Sequence, residues 1–158
     1  MLGLENQYRN FKSAPSKNPK KMKREPFLPN HYYLIKNSGN NFESIFIEDR
    51  NYSYFLTLCQ RHIGKIGTLL SFRLFQNGFE LLIEIKDVTD ISPKYQEKMH
   101  LPLSNLFNAY CKAVNKAYGR SGSLFREHFS RIGLNRLQAL NIQKAMEKDV
   151  FHPKNFKN

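Results

Sequence analysis

The sequence predicts an α+β domain in which an antiparallel sheet packs against helices. Residues 68–75 and 79–86 alternate between apolar and polar side chains, and Asn77-Gly78 between them is a strong hairpin signal. Two longer stretches instead repeat their apolar residues at helical spacing. The chain has 158 residues, 41% of them hydrophobic, which is enough for one domain with a buried core.

The first strand and helix precede this hairpin. Residues 31–36 are aromatic and β-branched, which predicts a strand. Asp49 is the predicted N-cap of a helix, because apolar residues recur at helical spacing after it. Either Gly64 or Gly67 ends this helix.

The second half of the domain repeats the same pattern. A polar connection at 87–101 leads into a helix predicted over 102–118 and ended by Gly119. Residues 123–134 contain a further strand, and residues 135–149 form a last helix. The order β-α-β-β-α-β-α is the ferredoxin-like plan, with the helices packed on one face of the sheet.

The positive charge lies in two parts of the chain. The formal net charge is +12, and residues 1–26 and 104–136 each carry +5 of it, whereas residues 27–103 are neutral overall. Two concentrated basic segments are typical of a protein that binds a polyanion. Nucleic acid is favoured over an anionic membrane, because the basic N-terminal segment is not amphipathic.

Other classes of protein are excluded by composition. There is no apolar run long enough for a membrane span and no apolar core of a secretion signal. Cys59 and Cys111 are too few for a disulfide scaffold, and neither has the spacing of a zinc site. We therefore expect a cytoplasmic protein with a basic extended arm at 1–30, a folded domain at 31–149 and a polar tail at 150–158.

Two blocks of sequence resemble a known family. The first comprises residues 30–36, the loop 38–41 and parts of 45–56. The second, residues 107–129 (FNAYCKAVNKAYGRSGSLFREHF), is similar to the family phrase FN-x-x-YGR-x-G-x-LF-x-x-x-F. In this order they resemble the REP-associated and related single-tyrosine transposases of the HUH superfamily, over roughly residues 30–134.

The resemblance implies metal-assisted nucleophilic chemistry on DNA, but its residues are missing here. In the family, a His-hydrophobic-His pattern binds a divalent metal, and a tyrosine on the last helix attacks a DNA phosphate. The two histidine positions hold Gly78 and Glu80, no tyrosine follows Tyr118, and Met146 lies near the expected nucleophile. We expect no catalytic residue, no metal site and no cofactor, although Glu80 alone could hold a metal weakly through oxygen.

The basic residues are the predicted nucleic-acid contacts. Lys112 and Lys116 lie four residues apart on the helix face opposite the apolar stripe. Cations and hydroxyls of this kind bind phosphates without reading the base sequence. The full predicted set is Lys20, Lys21, Lys23, Arg24, Lys112, Lys116, Arg120, Ser121, Ser123, Arg126 and Arg131.

The expected function is recognition of folded nucleic acid without cleavage. The resemblance implies binding of DNA stem-loops, and backbone recognition also extends to structured RNA, ribosomal RNA included. No membrane partner is expected, and the resemblance allows a homodimer. Two alternatives stay open: a structural subunit associated with a ribosome or ribonucleoprotein, and an active DNA-nicking transposase with displaced catalytic residues.

Overall fold

The computed structural model describes residues 25–149. The strands are β1 (Tyr32–Ser38), β2 (Gly67–Phe75), β3 (Gly78–Ile85) and β4 (Ser130–Leu134). The helices are α1 (Asp49–Ile63), the single turn α2 (Pro93–Gln96), α3 (His100–Tyr118) and α4 (Arg136–Lys148). Every predicted strand and helix is present, and α2 is an addition within the predicted polar connection.

The four strands form one antiparallel sheet in the order β2-β3-β1-β4. Strand β1 is central and pairs with β3 from Tyr32↔Glu84 to Ser38↔Gly78, and with β4 from Tyr32↔Leu134. The β2–β3 pair is the predicted hairpin. The α+β class and the ferredoxin-like strand order are therefore confirmed.

Helices α1 and α3 cover one face of the sheet. They enclose the larger core, in which Ile35, Leu81 and Ile83 of the sheet are fully buried with Phe55 and Tyr110 of the helices. Aromatic rings fill much of this layer, and edge and stacked ring pairs link them.

Helix α4 lies on the opposite face, so the prediction that all helices share one face is wrong. A smaller core there joins Leu34 and Leu82 of the sheet to Ala139, Ile142 and Met146 of α4. The reason is visible in the strands: Leu34 and Ile35 of β1 and residues 81–83 of β3 are consecutive apolar residues, so side chains on both faces of the sheet need cover.

The helix ends follow local chemistry. The N-cap of α1 is Glu48 and not Asp49, because the side-chain oxygen of Asn51 accepts the Glu48 backbone N–H at 2.8 Å. Gly119 ends α3 in the left-handed conformation at φ 62°, as predicted. Across the described residues, no helix has both the length and the apolar character that crossing a bilayer requires.

The packed domain begins before residue 31. Phe27 is buried and packs edge-on against Tyr33, with 4.8 Å between ring centroids. The backbone N–H of Leu28 donates to the Tyr33 hydroxyl at 2.8 Å. The last residues of the predicted arm are thus part of the fold.

Candidate nucleic-acid interface

The loop at residues 119–129 is held against the segment that follows β1. Gly122 turns the chain at φ 82°, and the Asn40 backbone N–H donates to the Leu124 carbonyl at 3.0 Å. The Arg126 backbone N–H donates to the Ser38 carbonyl at 3.0 Å. This loop occupies most of the predicted strand at 123–134, in which only Ser130–Leu134 forms β4. The basic loop therefore has a defined backbone path.

Arg120 is used inside the protein. Its guanidinium makes two hydrogen bonds to the carboxylate of Glu43, at 2.9 and 2.6 Å, and a third to the Asn115 side-chain oxygen at 2.5 Å. The Arg120 side chain is 17% exposed. These contacts tie the end of α3 to the segment after β1, so the structure places Arg120 as the anchor of the loop.

Arg131 also has internal partners. Its guanidinium lies 4.0 Å from the ring centroid of Phe27 and 5.3 Å from that of Phe129, and it donates to the Glu25 carbonyl at 3.1 Å. This arrangement combines cation–π contact with a hydrogen bond. Arg131 therefore fastens residues 25–27 to the sheet edge.

The remaining predicted cations of the domain face solvent. Lys112 and Lys116 are exposed along α3, and Arg126 is exposed on the loop. The Arg126 guanidinium lies 5.2 Å from the ring centroid of Phe42, which is itself 74% exposed. An exposed aromatic ring beside exposed cations is a feature of nucleic-acid interfaces.

The other predicted contacts divide into two groups. Ser121 and Ser123 are exposed on the same loop, and the Ser123 hydroxyl donates to the Phe125 carbonyl at 2.7 Å. The four arm residues lie outside the described residues; they are Lys20, Lys21, Lys23 and Arg24.

A cavity that sequence reasoning did not anticipate opens beside this loop. It has a volume of ≈ 400 Å³, and its walls include Lys36, Phe75, Glu80, Arg126 and His128. Lys36 was missed because it is a single basic residue in an apolar strand. Its role depends on the strand register, which places it directly opposite Glu80.

The two positions that correspond to the family's histidines lie in the wall of this cavity. Glu80 is paired with two cations: its carboxylate lies 3.8 Å from Lys36 Nζ and 3.7 Å from Arg73 Nη1. Arg73 in turn contacts Asp149, which directly follows α4, at 2.9 Å. At Gly78, a Cβ atom would stand 2.9 Å from the Asn37 carbonyl oxygen.

These residues do not fit a divalent metal. The first position has no room for a liganding side chain unless the β1 backbone shifts, and the carboxylate at the second is neutralised by Lys36 and Arg73. Among residues 25–149, no group of three His, Cys, Asp or Glu side chains could hold a metal. Met146, near the position expected for the nucleophile, is buried in the α4 core.

Other ionisable groups have pKa values shifted by burial or by hydrogen bonds within the protein. Burial raises the pKa of the Cys59 thiol, which keeps it protonated, and burial also raises the pKa of the Tyr110 hydroxyl. Tyr110 donates to the Ile45 carbonyl at 2.5 Å. The Tyr118 hydroxyl donates a hydrogen bond to the Glu48 carboxylate, which lowers the pKa of Glu48. This bond joins the end of α3 to the start of α1.

The fold is similar to that of a REP-associated tyrosine transposase solved in complex with a REP hairpin, with a TM-score of 0.56 and 5% identity over 80% of this chain and 68% of that one. A crystal structure of a protein from Deinococcus radiodurans R1, assigned as a transposase, gives a TM-score of 0.49 and 13% identity over 80% of this chain and 97% of that one. No protein-family model and no curated protein matches the sequence.

Proposed function

We propose that this chain binds structured nucleic acid, as stem-loop DNA or RNA, through backbone phosphates and without cutting it. The observation that carries this proposal is the set of exposed cations, Lys112 and Lys116 on α3 and Arg126 on the loop that follows it, on a fold similar to that of a transposase. Cations on a rigid helix and an anchored loop can hold phosphates at fixed positions without contacting the bases. The solved neighbour with this fold carries a bound hairpin, which supports the same class of ligand here.

The proposed absence of cleavage rests on the wall of the cavity. A single-tyrosine transposase needs metal ligands and a nucleophile, and the resemblance puts Gly78 and Glu80 at the ligand positions and Met146 near the nucleophile. Glycine and methionine have no oxygen in their side chains, and the Glu80 carboxylate is ion-paired with Lys36 and Arg73.

Binding can be measured by the fluorescence anisotropy of a labelled DNA stem-loop and of an RNA stem-loop of the same sequence. Replacing Lys112, Lys116 and Arg126 with alanine should weaken both complexes and reduce the salt slope by up to ~0.9 per lost phosphate contact on duplex DNA. Lys65→Ala is the matched control for the single variant Lys112→Ala, because each removes one exposed lysine and Lys65 lies at the opposite end of the sheet. A triple variant with wild-type affinity and slope would remove this surface from the proposal.

Cleavage is tested separately. The protein is incubated with an end-labelled DNA stem-loop and Mg²⁺ or Mn²⁺, and the products are separated on denaturing gels. We expect intact DNA and no covalent protein–DNA adduct. A nicked product or an adduct would show instead an active transposase with displaced catalytic residues.

The natural ligand is to be identified in cells. The two free cysteines suit a reducing compartment such as the cytoplasm, where both DNA and RNA stem-loops are present. Ultraviolet cross-linking followed by sequencing of the bound nucleic acid separates DNA, ribosomal RNA and other RNA. Recovery of ribosomal RNA alone would favour a ribonucleoprotein subunit.

A further inference from the structure

We propose that the cavity beside Lys36 is a metal-independent phosphate site, in which Lys36, Arg126 and His128 supply the positive charge and hydrogen-bond donors. This inference rests on the proposed function and names one place on the protein where a phosphate of the nucleic acid is held. It also follows from the misfit between these residues and a divalent metal.

The cavity lies on the half of the sheet that α4 leaves open. Helix α4 packs on Leu34 of β1 and Leu82 of β3. Two residues further toward the hairpin end of the sheet, the same face continues as Lys36 and Glu80, which are opposite each other in the β1–β3 register. A cavity of ≈ 400 Å³ opens at this point.

Lys36 is available to a ligand. Its ammonium is 3.8 Å from the Glu80 carboxylate, which is longer than the 2.7–2.9 Å typical of a charge-assisted hydrogen bond. The Lys36 side chain is 44% exposed, and Glu80 has a second cationic neighbour in Arg73. A phosphate can therefore contact Lys36 while Arg73, which also pairs with Asp149 at 2.9 Å, stays 3.7 Å from Glu80.

The loop supplies the other donors. The backbone of Arg126 is fixed by Ser38 and Asn37, through bonds of 3.0 and 3.2 Å, and the residue lines the cavity. Its guanidinium rests 5.2 Å from the exposed Phe42 ring, so it can turn toward a bound anion without breaking an ion pair within residues 25–149. His128 lines the same wall, and its ring Nε2 lies 3.5 Å from the exposed carboxylate of Glu127. An arginine and a lysine around a tetrahedral anion provide both bidentate and single-point donors.

Phosphate and metal assignments predict opposite effects for one substitution. Glu80→Gln removes a negative charge from the wall, so hairpin affinity should rise about two- to five-fold at a phosphate site. At a metal site the same substitution would remove the only carboxylate ligand and weaken binding. Lys36→Met keeps the aliphatic stem and should lower affinity roughly five- to ten-fold.

The experiment uses the full chain and a labelled DNA stem-loop, with anisotropy measured in EDTA and again in Mg²⁺. Lys65→Met is the control for loss of one exposed lysine. Circular dichroism checks that each variant is folded. If Glu80→Gln does not fold, Lys36→Met decides the test. We expect hairpin affinity to rise for Glu80→Gln and to fall for Lys36→Met, and both changes to be the same in EDTA as in Mg²⁺. Equal affinities for Lys36→Met and Lys65→Met would overturn the phosphate site while leaving hairpin binding itself established.

A second measurement separates the site from the proposed function. Inorganic phosphate is titrated into ¹⁵N-labelled protein, and we expect the backbone amides of Lys36, Arg126 and His128 to shift. If the wild type binds no hairpin, the proposed function is wrong, and these shifts alone would then assign the cavity to a free anion. Absence of shifts would overturn the site.

Discussion

The bond network of Arg120 permits a quantitative test of why the basic loop has a fixed path. We expect Arg120→Met and Glu43→Gln each to destabilise the protein, and the double variant to be little worse than Arg120→Met alone. The structural reason is that both residues serve one contact, made by two hydrogen bonds at 2.9 and 2.6 Å.

The magnitude follows from the geometry and the exposure of the pair. Hydrogen bonds to charged groups contribute about 1.5–3 kcal/mol when buried, and exposed ion pairs about 0.2–1 kcal/mol. Arg120 is 17% and Glu43 41% exposed, which places their coupling free energy at about 1–1.5 kcal/mol. Arg120→Met also loses the bond to Asn115, so its total effect is about 2 kcal/mol, or roughly 4–8 °C in Tm for a domain of this size.

The assay is urea denaturation followed by circular dichroism, with the four proteins forming a double-mutant cycle. Hairpin anisotropy on the same proteins adds a second readout, because Arg120→Met should leave the salt slope unchanged whereas Arg126→Ala should lower it by ~0.9 on duplex DNA. Additive destabilisation, or a salt slope that falls with Arg120→Met, would refute the assignment of Arg120 as the anchor of the loop.

Three further predictions concern stability. Tyr110→Phe should destabilise by about 1–3 kcal/mol in urea titrations, because the Ile45 carbonyl loses its buried donor; an effect below about 0.5 kcal/mol would contradict this. Gly119→Ala should cost about 1 kcal/mol through its left-handed backbone alone, since a Cβ there meets nothing within 4 Å. Hydrogen bonding from Asn30 and then Thr89 lowers the pKa of Asp87 to about 2, so its carboxylate stabilises the fold above about pH 4 and loses that effect as the pH falls to 2. The stability difference between wild type and Asp87→Asn should therefore shrink over that interval, and a constant difference would exclude this role.

The sequence contained enough local information for the elements and their order. Alternation and the Asn77-Gly78 turn predict β2 and β3, and the aromatic and β-branched content of residues 31–36 predicts β1. The position of the last helix depends instead on which sheet face remains uncovered. The consecutive apolar residues Leu34 and Ile35 carry that information, because they point to opposite faces.

The candidate site was less predictable, because a charge count does not reveal partners. Arg120 and Arg126 are six residues apart and look equivalent in sequence, yet one is paired with Glu43, 77 residues away, and the other faces solvent. Lys36 became a site residue only when the register placed it against Glu80 and the cavity. Such roles arise from tertiary contacts.

The pairing of β1 has a consequence for how the chain folds. Among the four strands of residues 25–149, β1 comes first along the chain, yet its partners are β3 and β4, and the Tyr32↔Leu134 pair joins positions about a hundred residues apart. Closing so long a loop is slow, and until β4 arrives β1 presents an unpaired edge to other chains. We expect the β2–β3 hairpin to form early and the β1–β4 pairing to complete the refolding reaction. Aggregation should therefore be fastest from the intermediate in which the hairpin has formed and β4 has not yet paired with β1.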